Sequence, residues 1–149
     1  MNTDRLWSPA FINYGVSSGI FYMTQYVLVA ALPIILTAEL GGSALDAGLA
    51  MTYFQIGTIL CRPFAGRLID GLDKRIILLI LSALFFVIMG LFNLTTSLQT
   101  IFVLRGLHGA IFALGTTVMA ALAVVVLPAS RKGEGINMFA VFSNIAMVL

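Results

Sequence analysis

Residues 66–94 read GRLIDGLDKRIILLILSALFFVIMGLFNL, a short charged stretch followed by a long apolar run. The apolar run, from Ile76 to Leu94, contains no charged side chain. One helix needs about 20 consecutive apolar residues to cross the hydrocarbon core of a bilayer, and this run is about that long. Asp73, which comes shortly before the run, is a candidate N-cap residue. The segment therefore predicts a membrane-spanning helix that follows a charged turn.

Apolar runs of comparable length lie on both sides of this segment, separated by short polar turns. They predict an all-α, polytopic membrane helical bundle that forms a single unit over residues 1–149. The last run rises only about 20 Å as a helix, short of the roughly 30 Å core, so we expect a truncated helix. Such a chain is either an excerpt of a longer protein or a natural short product. The expected helices cover about 11–38, 44–69, 76–94, 100–127 and 137–149.

The composition excludes an ordinary water-soluble domain. Hydrophobic residues make up 60% of the 149 residues and charged residues only 9%, whereas soluble domains are roughly 25% charged. The net charge of +2 does not indicate nucleic-acid binding, because the basic residues form short clusters between apolar runs. Cys61 is the single cysteine, so no intrachain disulfide is expected. Phosphate-loop, metal-ligand and nucleophile–base patterns are absent from the sequence, so we expect no cofactor, no metal and no enzyme activity.

The distribution of basic residues predicts the orientation. All but two of the eight Lys and Arg residues lie at or near one side of the membrane if the helices alternate in direction. The turns at 39–43 and 95–99, on the other side, contain none. Because cytoplasmic loops are enriched in Lys and Arg, we expect a cytoplasmic N-terminus. The clustered basic residues are Arg5, Arg67, Lys74, Arg75, Arg131 and Lys132.

Polar side chains recur along the first expected helix at spacings of three and four, which places them on one face. Lipid would penalise such a face, so it must contact other helices or an aqueous cavity. Both interpretations stay open, since Gly15 and Gly19 would also permit close helix packing. Ser18 belongs to this face as well. Together with two residues of the second helix, the cavity-lining candidates are Asn13, Tyr14, Ser17, Phe21, Thr24, Gln25, Gln55 and Arg62.

Two arginines lie inside apolar runs, where a charged side chain is costly and usually functional. Arg62, in the second helix, either faces an internal cavity or extends toward the cytoplasmic surface. Arg105, in the fourth helix, lies deeper, and no acidic residue is obviously placed to pair with it. Glu39 and Asp46 could reach it only by extending inward from the outer turns.

The fourth helix carries two further signals. His108 lies one turn after Arg105, where it could relay protons or simply form a hydrogen bond between helices. A stripe of small side chains allows another helix to pack closely. The stripe consists of Gly106, Gly109, Ala110, Ala113, Thr117 and Ala121.

The charged turn resembles the loop signature between helices two and three of the major facilitator superfamily. That signature reads Gly-x-x-x-Asp-Arg-x-Gly-Arg-Lys, and Gly66, Asp70, Lys74 and Arg75 match it. Gly71 replaces the usual arginine and Asp73 replaces the usual glycine. The sequence Arg105-x-x-His108-Gly109 resembles the helix-four motif of the same family. Segments at 32–33, 40–43, 47–49, 62–66 and 128–135 are similar to the drug-exporter-like branch.

The resemblance covers the whole chain, but only five helices of a family that has two six-helix halves. It implies the N-terminal part of such a six-helix half and secondary active transport of a small solute by alternating access. In the drug-exporter branch this would be proton-coupled efflux of drug-like or amphipathic compounds by an antiporter in the bacterial inner membrane. The implied partners are the lipid bilayer, a small-molecule substrate, protons and the second half-bundle.

The resemblance also implies roles for individual residues. The loop residues Gly66, Asp70, Asp73, Lys74 and Arg75 would form part of a gate. Arg105 would take part in proton coupling, with His108 beside it. Exporters of this kind often carry a carboxylate in helix one, which this sequence lacks. Either the coupling acid lies elsewhere or this protein is coupled differently. Other functions also stay open: a sugar or metabolite carrier of the same superfamily, and a truncated membrane protein that transports nothing, which the short fifth helix would favour.

Overall fold

The computed structural model describes residues 5–71 and 73–148, without the side chains of residues 68–70. These parts of the chain form helices joined by short turns and contain no strand. The predicted all-α membrane bundle is confirmed. The elements are α1 (Pro9–Ala38), α2 (Ala44–Gly71), α3 (Lys74–Phe92), α4 (Leu98–Val125), a 3₁₀ turn at Ala129–Arg131, and α5 (Lys132–Val148).

The first four helices are long and apolar enough to cross a membrane. Short polar side chains cap the starts of α1 and α3. Ser8 Oγ accepts a hydrogen bond from the Phe11 amide, and Asp73 accepts from the amides of Arg75 and Ile76. The candidate N-cap at Asp73 is thus confirmed.

The start of α5 differs from the sequence expectation, which placed it at about residue 137. The helix begins at Lys132, because residues expected to form a polar loop take up its first turn. Glu134 lies in that turn, where a negative charge is favourable at the positive end of the helix dipole. Its carboxylate also pairs with Arg131 at 2.7 Å, three residues earlier.

Helix α4 is the centre of the bundle. In its most apolar stretch 56% of the residues are buried, against 22% in α1 and in α3. Gly106, Gly109 and Ala110 of the predicted small-residue stripe pack directly against α2. A Cβ atom added to Gly109 would overlap the Phe54 backbone, and one added to Gly57 would overlap the Gly106 carbonyl. Thr58 Oγ1 crosses this contact to donate to the Gly109 carbonyl at 3.2 Å.

The two glycines of α1 have a different partner. A Cβ on Gly15 would collide with the ring of Phe142 in α5, and one on Gly19 would lie 3.3 Å from the Phe142 carbonyl oxygen. This side of α1 therefore packs against α5. Other residues of the polar face contact Arg105 or line cavities in the bundle.

Candidate functional site

Arg105 is completely buried in the centre of the bundle. Its Nη1 atom donates to Gln25 Oε1 of α1 at 3.2 Å and to His108 Nδ1 at 3.2 Å. Its Nη2 atom lies 3.2 Å from Met51 Sδ of α2. The guanidinium carbon also lies 4.7 Å from the centroid of the Phe54 ring. The charge is thus held by one amide, one imidazole, one sulfur and one aromatic face.

His108 is also fully buried, in a cage of aromatic rings. Because a guanidinium can only donate, His108 Nδ1 must be the acceptor of the Arg105 hydrogen bond, and the neutral ring then carries its proton on Nε2. Nε2 has no hydrogen-bond partner among the described residues, and neither has Arg105 Nε. The cage consists of Phe54, Phe85, Phe92 and Phe112, with ring centroids 5.1–6.3 Å from that of His108.

Within the described part of the chain, Arg105 forms no ion pair with a carboxylate. The Asp46 carboxylate is held instead by Ser43, whose amide and hydroxyl both donate to it at 2.7 Å. Glu39 is exposed at the far end of α1. A buried charge without a countercharge depends on hydrogen bonds and aromatic contacts, so the loss of any of them is costly.

Arg62 lies in a different environment. It lines a cavity of about 410 Å³ between α1, α2, α4 and α5. Ser18 contributes a completely buried hydroxyl that has no partner among the described residues. The other lining residues are Tyr22, Thr116, Thr117, Ala120, Ile136, Phe139, Ala140 and Ser143.

The other cavity-lining candidates of α1 are distributed over several environments. Phe21 belongs to the core and not to a cavity face, because its ring stacks on Phe85 with centroids 4.0 Å apart. Gln25 is committed to Arg105. Thr24 lines a separate cavity of about 620 Å³ near the end of α1 that contains Glu39.

Four candidates lie away from both of these cavities or on the surface. Tyr14 lines a cavity of about 350 Å³ next to the start of α3. Asn13 is exposed, and its Oδ1 accepts from Ser17 Oγ at 3.5 Å. Gln55 is exposed as well. The predicted face is therefore shared between helix packing and cavity lining.

The residues of the charged turn lie at the junction of α2 and α3. A Cβ on Gly66 would meet nothing within 4 Å among the described atoms. Asp70 lies in the last turns of α2, and its side chain is outside the described residues. Asp73 caps α3 and, with Lys74 and Arg75, lines the cavity that contains Tyr14.

Three residues that line the cavity beside Arg62 were not predicted from the sequence. They are Tyr22, Thr116 and Ser143. A signal for two of them was present, since Tyr22 lies one turn after Ser18 and Thr116 lies next to the small-residue stripe. Nothing in the spacing indicated that these residues share one cavity with Arg62.

The family model of the Major Facilitator Superfamily matches residues 14–149, nearly the whole chain. The chain belongs to the major facilitator superfamily. Uncharacterized MFS-type transporters of Pseudomonas aeruginosa strains LESB58 and UCBPP-PA14 are each 42% identical to it over 54 residues. The matched segment covers 36% of this chain but only 13% of each relative. No solved structure matches the chain.

Membership of the major facilitator superfamily confirms the family resemblance and agrees with a multi-pass integral membrane protein. In such a protein the two arginines belong to distinct sites, because Arg105 is enclosed by side chains whereas Arg62 borders open space.

Proposed function

We propose that this chain supplies the first five helices of a proton-coupled exporter of the drug-exporter branch, which moves amphipathic compounds by alternating access. Its N-terminus is cytoplasmic, and the remaining helices, including a second half-bundle, complete the substrate path. Superfamily membership and the distribution of basic residues support this proposal.

The observation that carries the proposal is the hydrogen bond from Arg105 to His108 Nδ1, at 3.2 Å inside the bundle. An imidazolium has two N–H donors and no acceptor. Protonation of His108 must therefore break this bond, which lies within α4, and place a second positive charge beside the guanidinium that holds α1 through Gln25. Repulsion between the two charges would couple proton binding to a rearrangement of α1 against α4, as coupled transport requires.

We assign the charged turn to a cytoplasmic gate. The Asp73 carboxylate is already bound to two amides at the start of α3, so the gate carboxylate is Asp70. Gly66 leaves room for a close neighbour, because a Cβ atom there would meet no described atom within 4 Å. Lys74 and Arg75 are the basic members of this gate.

Proton flux in liposomes tests the proposed function. The full-length protein is reconstituted with a pH-sensitive dye in the lumen, and amphipathic anions, cations and neutral compounds, as well as sugars, are added one at a time. We expect at least one compound to drive proton flux, Arg105→Ala to abolish that flux at unchanged expression, and Arg131→Ala, which alters a surface arginine, to preserve it. Unchanged flux in Arg105→Ala would refute the coupling role, and flux elicited by sugars alone would refute the exporter assignment.

A further inference from the structure

We infer that the cavity beside Arg62 binds an amphipathic organic anion, with Arg62 as the group that recognises its charge. The inference rests on the proposed function and names its substrate class. The cavity is bordered by four of the five helices, α1, α2, α4 and α5, and has a volume of about 410 Å³. This volume falls within the usual range of small-molecule sites.

The charge of the cavity is positive. Arg62 is its one charged residue among those described, and the lining contains no Asp or Glu. Arg62 forms no ion pair with the described acidic residues. A cation within an apolar helix requires a partner or water, and a guanidinium binds carboxylate or phosphate oxygens through two parallel hydrogen bonds. An anionic ligand group would provide that partner.

A second, independent observation points to a ligand in the same cavity. The Ser18 hydroxyl is completely buried, borders this cavity and has no hydrogen-bond partner among the described residues. A buried hydroxyl without a partner is costly. The hydroxyls of Thr116 and Thr117 already donate to carbonyls of their own helix at 2.7 Å. Ser18 is therefore a free donor for an acceptor atom of the ligand.

The remaining lining indicates an apolar body for the ligand. Four of the lining residues, Ala120, Ile136, Phe139 and Ala140, have purely hydrocarbon side chains. The ring of Tyr22 is held in an edge-to-face contact with Phe112, with centroids 5.0 Å apart. An apolar wall with an aromatic ring, beside one guanidinium and several hydroxyls, suits a ligand that combines one acidic group with an aromatic or aliphatic body.

Two probes of the same shape test this inference by binding. Tritiated 1-naphthaleneacetate carries a carboxylate, and tritiated 1-naphthaleneacetamide replaces it by a neutral amide. Binding is measured on the full-length protein in nanodiscs. We expect the carboxylate to bind about tenfold more tightly than the amide, because a charge-assisted hydrogen bond is roughly twice as strong as a neutral one.

Arg62→Gln should remove this preference and leave amide binding unchanged. Arg67→Gln is the matched control, since Arg67 lies on the same helix but is not one of the lining residues. Ser18→Ala should weaken the binding of both probes by about threefold while keeping the preference for the carboxylate. Should Arg62→Gln fail to fold, Arg62→Lys should bind the carboxylate less tightly than the wild type but more tightly than it binds the amide.

Equal binding of the two probes by the wild-type protein would overturn the inference, and so would a carboxylate preference that survives in Arg62→Gln. The latter result would mean that Arg62 extends to the membrane surface and has no role in binding. Proton flux is read separately through Arg105→Ala. Absence of the carboxylate preference in the wild-type protein, with coupled flux that depends on Arg105, refutes the anion site alone. A wild-type preference that Arg62→Gln removes, with flux that Arg105→Ala leaves unchanged, refutes the coupling role alone.

Discussion

Arg105 and Arg62 are both arginines within apolar helices, but their surroundings in the bundle differ. Arg105 is enclosed, and its hydrogen-bond donors engage Gln25, His108 and Met51. Arg62 borders a cavity and has no described ion-pair partner. The difference shows that the function of a membrane arginine depends on what it contacts. An enclosed guanidinium whose Nη atoms are both engaged can hold helices together, whereas one that borders a cavity is available to a ligand.

The largest loss of stability is expected from a substitution at the close contact of α2 and α4, which encloses Arg105. Gly109→Leu would drive a side chain into the Phe54 backbone. Overpacking of this kind costs about 3 kcal/mol or more when backbone must move. The variant should lose its monodisperse peak in detergent, and water should reach Arg105.

Gly90→Leu in α3 is the control for this prediction, because a Cβ there meets nothing within 4 Å. It should keep the wild-type elution profile and thermal midpoint. A stable, monodisperse Gly109→Leu protein would contradict the account of the α2–α4 contact.

A smaller effect is expected from Gln25→Leu, which removes the amide oxygen that accepts from Arg105 Nη1. A buried charged donor left without its acceptor costs roughly 2–3 kcal/mol. The thermal midpoint in detergent should fall clearly. Gln55→Leu, at an exposed position of α2, is the matched control and should leave the midpoint near that of the wild type. Equal midpoints in the two variants would mean that Arg105 does not depend on Gln25.

Arg62→Gln should change the stability much less than Gln25→Leu. No described ion pair is lost, and substitutions away from such features usually fall within about 0.5 kcal/mol. The thermal midpoint without ligand should therefore stay close to the wild-type value. A large drop would place Arg62 with Arg105 as a packing residue and would remove the distinction between the two sites.

The smallest effect concerns a third arginine, at the surface. The hydrogen bonds from Arg131 hold the pKa of the Glu134 carboxyl below its ordinary value of 4.5. The folded state thus binds fewer protons than the unfolded state near that pH. The stabilisation is present above pH 4.5 and is lost as the pH falls through the lowered folded-state pKa.

Amide hydrogen exchange in the first turn of α5 measures this effect. Exchange, corrected for its intrinsic pH dependence, should become faster in acid in the wild type and show no such step in Glu134→Gln. High salt should reduce the step, because the pair is exposed. An increase of equal size in both proteins would mean that the titration of another group causes it.

The helices and the close contact of α4 were predictable because they depend on local patterns. Apolar runs determine the spans, and the small-residue stripe determines which side of α4 another helix can approach. The cap at Asp73 follows from the same kind of short-range rule. The early start of α5 was missed because the stabilising pair of Arg131 and Glu134 forms only once that turn is helical.

The partners of the two arginines were not predictable, since they depend on contacts between distant parts of the chain. Arg105 and Gln25 are 80 positions apart, and no spacing rule connects them. Phe21 has the spacing of the polar face and was predicted to line a cavity, but its ring stacks on Phe85 in the core. Ser18 was on the predicted face, yet its lack of a partner became visible only in the packed bundle.

The contact of α1 with Phe142 sets an order of events during biosynthesis. Gly15 and Gly19 are made before Phe142, the residue that covers them, which follows more than a hundred residues later. At about 5–20 residues per second, this delay lasts on the order of ten seconds. During that time the face of α1 must be shielded by lipid or by the insertion machinery. Helix α1 is thus fully packed on this side only after Phe142 of α5 has been made.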